Sequence, residues 1–178
     1  MAGGCFWCTE AIFKRLKGVK SVTSGYSGGT IENPSYEQVS SGTTGYAEAI
    51  QIEFDPKVIP FEKILDVFWH THNPTTLNSQ GNDVGTQYRS AIFYQTQKQK
   101  EIAEKSKVDL EAEKIYKDKI VTEIIPFTNF YSAEHYHKDY YDNNKEDSYC
   151  TFVINPKIQK LMQKYEKDVK EEYKNDAE

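Results

Sequence analysis

The chemistry that is easiest to read lies at the start of the chain, where Gly3-Gly4-Cys5-Phe6-Trp7-Cys8 sets two cysteines three residues apart beside two aromatic rings. Thr9, Ile12, Phe13 and Leu16 then recur at helical spacing until Gly18 stops the run, which puts Cys5 at a helix N-terminus. Unpaired backbone N–H groups and the helix dipole stabilise a thiolate there, so the Cys5 pKa is expected to be lowered and Cys5 is the better nucleophile. Cys8, one helical turn later, can close a disulfide once Cys5 is oxidised, as in C-x-x-C redox motifs, and is the first choice as resolving thiol. Two other readings remain open. Both cysteines could be buried small hydrophobes. Alternatively, His70-x-His72 and His135-x-His137 could join them around zinc, although the pattern lacks a second C-x-x-C or the close histidine spacing of structural sites.

A second signal comes from Tyr46 to Phe54, where period-two alternation puts Tyr46, Glu48, Ile50, Ile52 and Phe54 on one face. A carboxylate on that apolar side is desolvated, favours its protonated form and is suited to donate a proton at pH 7. An exposed strand end or a shifted register would return Glu48 to solvent, and the alternation does not decide between the two. The turn-rich stretch from Asn73 to Tyr88, dense in amide, hydroxyl and carboxyl groups, can line a polar pocket or serve as a plain connection with Asp83 as a cap.

The elements that position these residues follow from periodicity. Strands are expected at Val19 to Ser27, Tyr46 to Phe54, Ser90 to Gln95, Ile120 to Ile125 and Tyr149 to Ile154. Helices are expected over the apolar face Phe61, Ile64, Leu65, Phe68 and Trp69, over Thr96 to Lys114, and over Ser132 to Asn143 with Tyr136 and Tyr140 four apart. A charged surface helix at about 156–174 carries Ile158, Leu161, Met162, Tyr165 and Val169 on one stripe. Mixed helices and strands without regular βαβ alternation imply an α+β fold, a mixed sheet with helices packed on it. No repeat or long linker divides the chain, so residues 1–178 are expected to form a single catalytic domain.

Composition narrows the function. The 178 residues include 22 basic and 27 acidic side chains, a net charge of -5, with lysines interleaved among acids rather than clustered. That disfavours nucleic acid as a partner. Apolar runs are short and no apolar leader follows a charged start, so a protein with no membrane role, located in the cytoplasm, is expected. Three cysteines, an odd number, fit catalytic thiols in a reducing compartment better than a disulfide scaffold.

Taken together, Gly4-Cys5-Phe6-Trp7, Gly25-Tyr26-Ser27-Gly28-Gly29, Ala47-Glu48-Ala49, the loop from His72 to Phe93 and Phe130-Tyr131-Ser132-Ala133-Glu134-His135-Tyr136-His137 closely resemble the peptide methionine sulfoxide reductase A family. The resemblance spans most of residues 3 to 154. It implies reduction of L-methionine S-sulfoxide, free or in proteins, on a two-layer α+β sandwich by a monomer with no metal or organic cofactor. It also implies that Cys5 attacks the sulfoxide sulfur and Glu48 protonates its oxygen. Tyr26 and Tyr88 would hydrogen-bond that oxygen, Asp83 would organise the site, and Phe6 and Trp7 would hold the substrate methyl group. A sulfenic acid on Cys5 would condense with Cys8, and thioredoxin would reduce the disulfide.

Departures from the family pattern bear on recycling. Many members have Gly at position 8 and use cysteines near the C-terminus, whereas this chain has none after Cys150. Cys150 competes for the resolving role, but inside a strand it reads as a packed structural thiol. Tyr46 stands where the family commonly has His. Relatives run a strand into the Cys5 motif, and with four residues before Cys5 either that strand is supplied differently here or the sheet edge is shorter.

Overall fold

Val19–Ser27 (β2), with β-branched Val19, Val22 and Thr23, and Ala47–Phe54 (β3) are the longest strands of the fold, paired antiparallel over their whole length with Tyr26 directly opposite Glu48. A computed structural model describes residues 1–177. In it β2 also pairs with Phe130–Ser132 (β8), giving the order β3-β2-β8. Gly25 permits that pairing, because a Cβ there would lie 2.3 Å from the Tyr131 carbonyl oxygen. A second sheet has the order β1-β6-β7, in which Ala2–Gly3 (β1) pairs antiparallel with Ser90–Tyr94 (β6), and β6 pairs parallel with Glu123–Pro126 (β7). The Met1 nitrogen donates to the Ile50 carbonyl at 2.8 Å and links the two sheets. The strand that enters the cysteine motif, β1, is two residues long.

The helices cover these sheets. Phe6–Lys14 (α1) buries Phe6, Cys8, Ala11, Ile12 and Phe13, and Phe61–Thr71 (α3) buries Ile64, Leu65, Val67, Phe68 and Trp69. Tyr36–Ser40 (α2) starts with a capping box from Ser35 and Gln38, a signal present in the sequence but not read there. The long polar helix is Gln97–Glu113 (α4), and the turn-rich loop contains a small hairpin of Ser79–Gln80 (β4) and Asp83–Val84 (β5) followed by a 3-10 turn at Thr86–Tyr88. Mixed strand directions with packed helices make this an α+β fold.

Four expectations are corrected in the second half of the chain. The strand expected at Ile120 begins at Glu123, because the Val121 N–H is drawn to the Pro74 carbonyl at 2.9 Å. Ser132 to Asn143 is not one helix but the end of β8, a 3-10 turn at His135–His137 and a short helix Tyr140–Asn143 (α5). Asp139 breaks it at φ 53°, a left-handed backbone. Tyr149 to Ile154 is not a strand but leads into a π-helical turn, Cys150–Ile154. Its aromatic and β-branched residues mimic a strand, yet Asp147 accepts the Tyr149 N–H on Oδ1 and the Thr151 N–H on its carbonyl, which starts a helix. The last helix, Asn155–Tyr165 (α6), buries the expected Ile158, Leu161, Met162 and Tyr165 but stops well before residue 174. Val169 bridges to Leu16 and Lys170 donates to the Arg15 carbonyl, so the chain leaves the helix to pair with the segment after α1.

Candidate active site

Cys5 stands at the N-cap of α1 with φ -55° and ψ 127°, and its carbonyl accepts the Cys8 N–H at 3.1 Å. Gly4, at φ +86°, turns the chain from β1 into this position against the Gln80 side chain, which would lie 2.6 Å from a Cβ. The first N–H of the helix, that of Phe6, is not free to stabilise a thiolate at Cys5: it donates to Glu48 Oε2 at 3.0 Å. Cys5 is 6% exposed, and burial pushes its thiol well above the ordinary value. The lowered Cys5 pKa expected from the helix start is therefore corrected. Cys5 instead donates a hydrogen bond to Cys8. That bond, with Lys157 nearby, brings the Cys8 thiol down to about 7 against its own burial.

Glu48 is 2% exposed and on the face expected of it. Burial raises its pKa to about 8, and Asp83 and Cys8 push in the same direction against the Phe6 N–H. A carboxylic acid and two thiols thus share one water-poor volume, and the acid is mostly protonated at pH 7.

Phenols surround this centre. Tyr149 donates to Asp83 Oδ2 at 2.6 Å and lies 3.9 Å from the Cys8 sulfur, which ties the π-helical turn to the β4–β5 hairpin and to α1. Tyr88 follows that hairpin, and its hydroxyl has no hydrogen-bond partner among the described residues; burial and the charge of Glu48 raise its pKa. Tyr26 is fully buried and already engaged, since its O–H donates to Glu134 Oε2 at 2.7 Å.

The two aromatics of the motif behave differently. Phe6 is buried, with its ring centroid 5.0 Å from that of His137 and 5.9 Å from that of Tyr26. Trp7 is half-buried and stacks on Tyr140 at 3.7 Å and 7°, with Tyr149 edge-on at 5.8 Å, while its Nε1–H donates to His137 Nδ1 at 3.1 Å. All eight residues singled out in the sequence therefore lie in one neighbourhood. The residues that sequence reasoning missed are Tyr36, Glu134, His137, Tyr140 and Tyr149. Glu134 and His137 sit inside a quoted motif but carried no role there, Tyr140 was read only as part of a longer helix, and Tyr149 lay in a segment read as a strand.

Cys150 is fully buried, and burial, with Asp147 and Cys8 adding to it, raises its thiol to about 11. The histidines do not join the cysteine pair. His70 bonds Tyr165 and the Asp66 carbonyl, His72 bonds Ser90, His135 is exposed and His137 holds Trp7. Among the described residues no group of three His, Cys, Asp or Glu is placed to hold a metal ion, and no helix is long and apolar enough to cross a membrane.

Residues 1–170 match the peptide methionine sulfoxide reductase family. The chain is 54% identical over 165 residues to a peptide methionine sulfoxide reductase of Sulfolobus acidocaldarius, covering 93% of each chain. It is 54% identical over 170 residues to that of Saccharolobus solfataricus, covering 96% of this chain and 95% of the relative. Among solved structures, Mxr1 from Saccharomyces cerevisiae in reduced form superposes with a TM-score of 0.76 at 38% identity, over 84% of this chain and 86% of the other. The same yeast protein in complex with Trx2 gives 0.53 at 28% identity, over 78% and 80%. The chain belongs to the peptide methionine sulfoxide reductase family.

Proposed function

We propose that this chain reduces L-methionine S-sulfoxide, free or in proteins, with Cys5 as nucleophile and Glu48 as proton donor. The observation that carries the reading is the Phe6 N–H bond to Glu48 at 3.0 Å. It holds a buried, protonated carboxyl group beside the N-cap thiol. A sulfoxide oxygen is a poor leaving group until protonated, and a neutral acid next to the nucleophile removes that barrier.

In the proposed sequence the Cys5 sulfur attacks the sulfoxide sulfur while Glu48 gives its proton to the oxygen. The oxygen passes to Cys5 as a sulfenic acid, methionine leaves, and Glu48 recovers the proton that the Cys5 thiol gives up. Tyr88, with its unengaged hydroxyl, donates to the same oxygen. Tyr26 lines the site with its proton on Glu134, Asp83 holds Tyr149 in place, and Phe6 and Trp7 enclose the methyl group. The Cys8 thiolate then attacks the Cys5 sulfur, the hydroxyl leaves as water with one proton, and a Cys5–Cys8 disulfide forms. The dithiol of thioredoxin reduces that disulfide and is itself oxidised. Support for Cys8 is its contact with Cys5 and its thiol near 7, against about 11 for Cys150. On this reading residues 1–178 act as one catalytic domain, as a monomer in the cytoplasm, without nucleic acid.

The test is methionine release from separate S and R epimers with excess dithiothreitol, comparing wild type with Cys5→Ser. Release from the S epimer alone, lost in the variant, is expected. No release from either epimer by the wild type would remove the reductase reading.

A further inference from the structure

Glu134 lies between β8 and the 3-10 turn His135–His137, outside the set of residues given roles above. Its Oε2 accepts the Tyr26 O–H at 2.7 Å and its Oε1 accepts the Tyr36 N–H at 2.8 Å. Burial alone would raise its pKa, but these two bonds outweigh burial and Glu134 stays ionised below the usual carboxylate range. An ionised acceptor binds a phenol roughly twice as strongly as a neutral one.

The significance lies across the strand pair. Tyr26 on β2 is directly opposite Glu48 on β3, so the two side chains share a face and are nearest neighbours. A hydrogen bond donated to a carboxylate stabilises its charged form, lowers its pKa and so leaves less of it carrying a proton near neutral pH. Glu48 already accepts one such bond, from the Phe6 N–H. A second, from the Tyr26 hydroxyl, would pull it further toward the carboxylate.

We propose that Glu134 is a positioning residue for the reaction: by holding the Tyr26 proton it keeps that hydroxyl off Glu48, and so keeps Glu48 in the acid form that donates to the sulfoxide oxygen. This rests on the reading of Glu48 as the proton donor. The other groups facing Glu48 are Cys5 and Cys8 from the α1 side, Asp83 from the hairpin, Tyr36 from α2 and Tyr88 from its 3-10 turn. Of Tyr26, Tyr36 and Tyr88, Tyr26 alone among the described residues donates its hydroxyl to another carboxylate.

Because Glu134 also pins the start of α2, whose Tyr36 ring lies 4.4 Å from His137, its loss loosens packing as well, and a drop in rate alone would not separate the two effects. The pH profile does. The measurement is single-turnover reduction of L-methionine S-sulfoxide against pH for wild type, Glu134→Ala, Glu134→Gln, and Glu134→Ala combined with Tyr26→Phe. In wild type the basic limb is expected near the Glu48 value of about 8. In Glu134→Ala it moves about one pH unit lower, a tenfold change in proton affinity. Glu134→Gln, whose amide oxygen still accepts the Tyr26 proton, keeps the limb close to wild type. The double variant returns it, because no hydroxyl remains to turn onto Glu48.

An unmoved limb in Glu134→Ala, or a limb still displaced in the double variant, would overturn the proposal while leaving Glu48 as the acid. A Glu48→Gln enzyme as fast as wild type would overturn the reading of Glu48 and this proposal with it.

Discussion

Replacing Glu48 by Gln removes the proposed acid while keeping an acceptor for the Phe6 N–H, and the structure fixes the size of two separate effects. Buried Glu48 titrates near 8 in the fold, against 4.5 for an ordinary glutamate. Between those values the native state holds a proton that the unfolded chain has released, so wild-type stability falls as pH rises through this window. Integrating the two titrations, Glu48 costs the fold about 1 kcal/mol at pH 5 and about 4 kcal/mol at pH 8, a difference of about 3 to 4 kcal/mol. Gln has no such titration. Denaturant unfolding of both proteins at pH 5 and pH 8 should therefore show Glu48→Gln gaining that difference relative to wild type, whatever constant offset the amide adds at both pH values. Groups that titrate alike in the two proteins cancel. In single turnover the same substitution should slow reduction of the S epimer by about 10²- to 10⁴-fold, the usual worth of a general acid. Equal pH slopes of stability in the two proteins would refute the buried acid, and a rate within a few-fold of wild type would refute its catalytic use.

Other substitutions separate the remaining roles. Cys8→Ser should release about one equivalent of methionine per enzyme and then stop with thioredoxin as reductant, whereas Cys150→Ser should turn over like wild type. Methionine release against time checks both, and sustained turnover by Cys8→Ser would move the resolving role to Cys150. Tyr88→Phe removes a hydroxyl that has no partner among the described residues, so it should leave stability unchanged in thermal unfolding. It should lower kcat about 10²- to 10³-fold, the worth of one donor to the developing charge. Tyr140→Ala removes the 3.7 Å stack on Trp7, worth about 1 kcal/mol. It should raise KM for the sulfoxide several-fold with little change in kcat, and a loss confined to kcat would refute Trp7 as a wall of the methyl recess.

The first half of the chain was legible because its signals are local. Alternation from Tyr46 to Phe54 marks a strand with Glu48 on its apolar side, and the observed register, with Tyr26 opposite Glu48, decides for a buried carboxyl. Helical spacing after Cys5 likewise placed the thiol at the N-cap of α1. The second half was misread where long-range bonds override local preference. Tyr149 to Ile154 has strand composition, yet one aspartate, Asp147, starts a helix there. Ser132 to Asn143 has helical spacing of its tyrosines, but rings of this segment are drawn onto residues more than a hundred positions earlier, Tyr140 onto Trp7 and His137 onto Phe6. No pattern within that segment reveals such partners. The roles of Glu134 and Tyr149 were hidden for the same reason, since Tyr26, Asp83 and Cys8 are distant in sequence.

The expectation for Cys5 failed in a way that explains the design of the site. A thiol at a helix start is expected to ionise, but the Phe6 N–H that would stabilise the thiolate is used to hold Glu48, and burial then keeps Cys5 protonated. Cys8 is the thiol that ionises more readily, near 7, with the Cys5 thiol and Lys157 favouring its thiolate. A negative Cys8 in turn raises the Glu48 pKa, so the thiol proposed to resolve the sulfenic acid also helps keep the acid protonated before substrate arrives. The two requirements support each other. A site with both thiols ionised would place two like charges beside Glu48 in a medium of low polarity, and one with neither would lack the thiolate needed to close the disulfide. Holding one negative charge on the second cysteine, away from the attacking one, satisfies both steps within a single turn of α1.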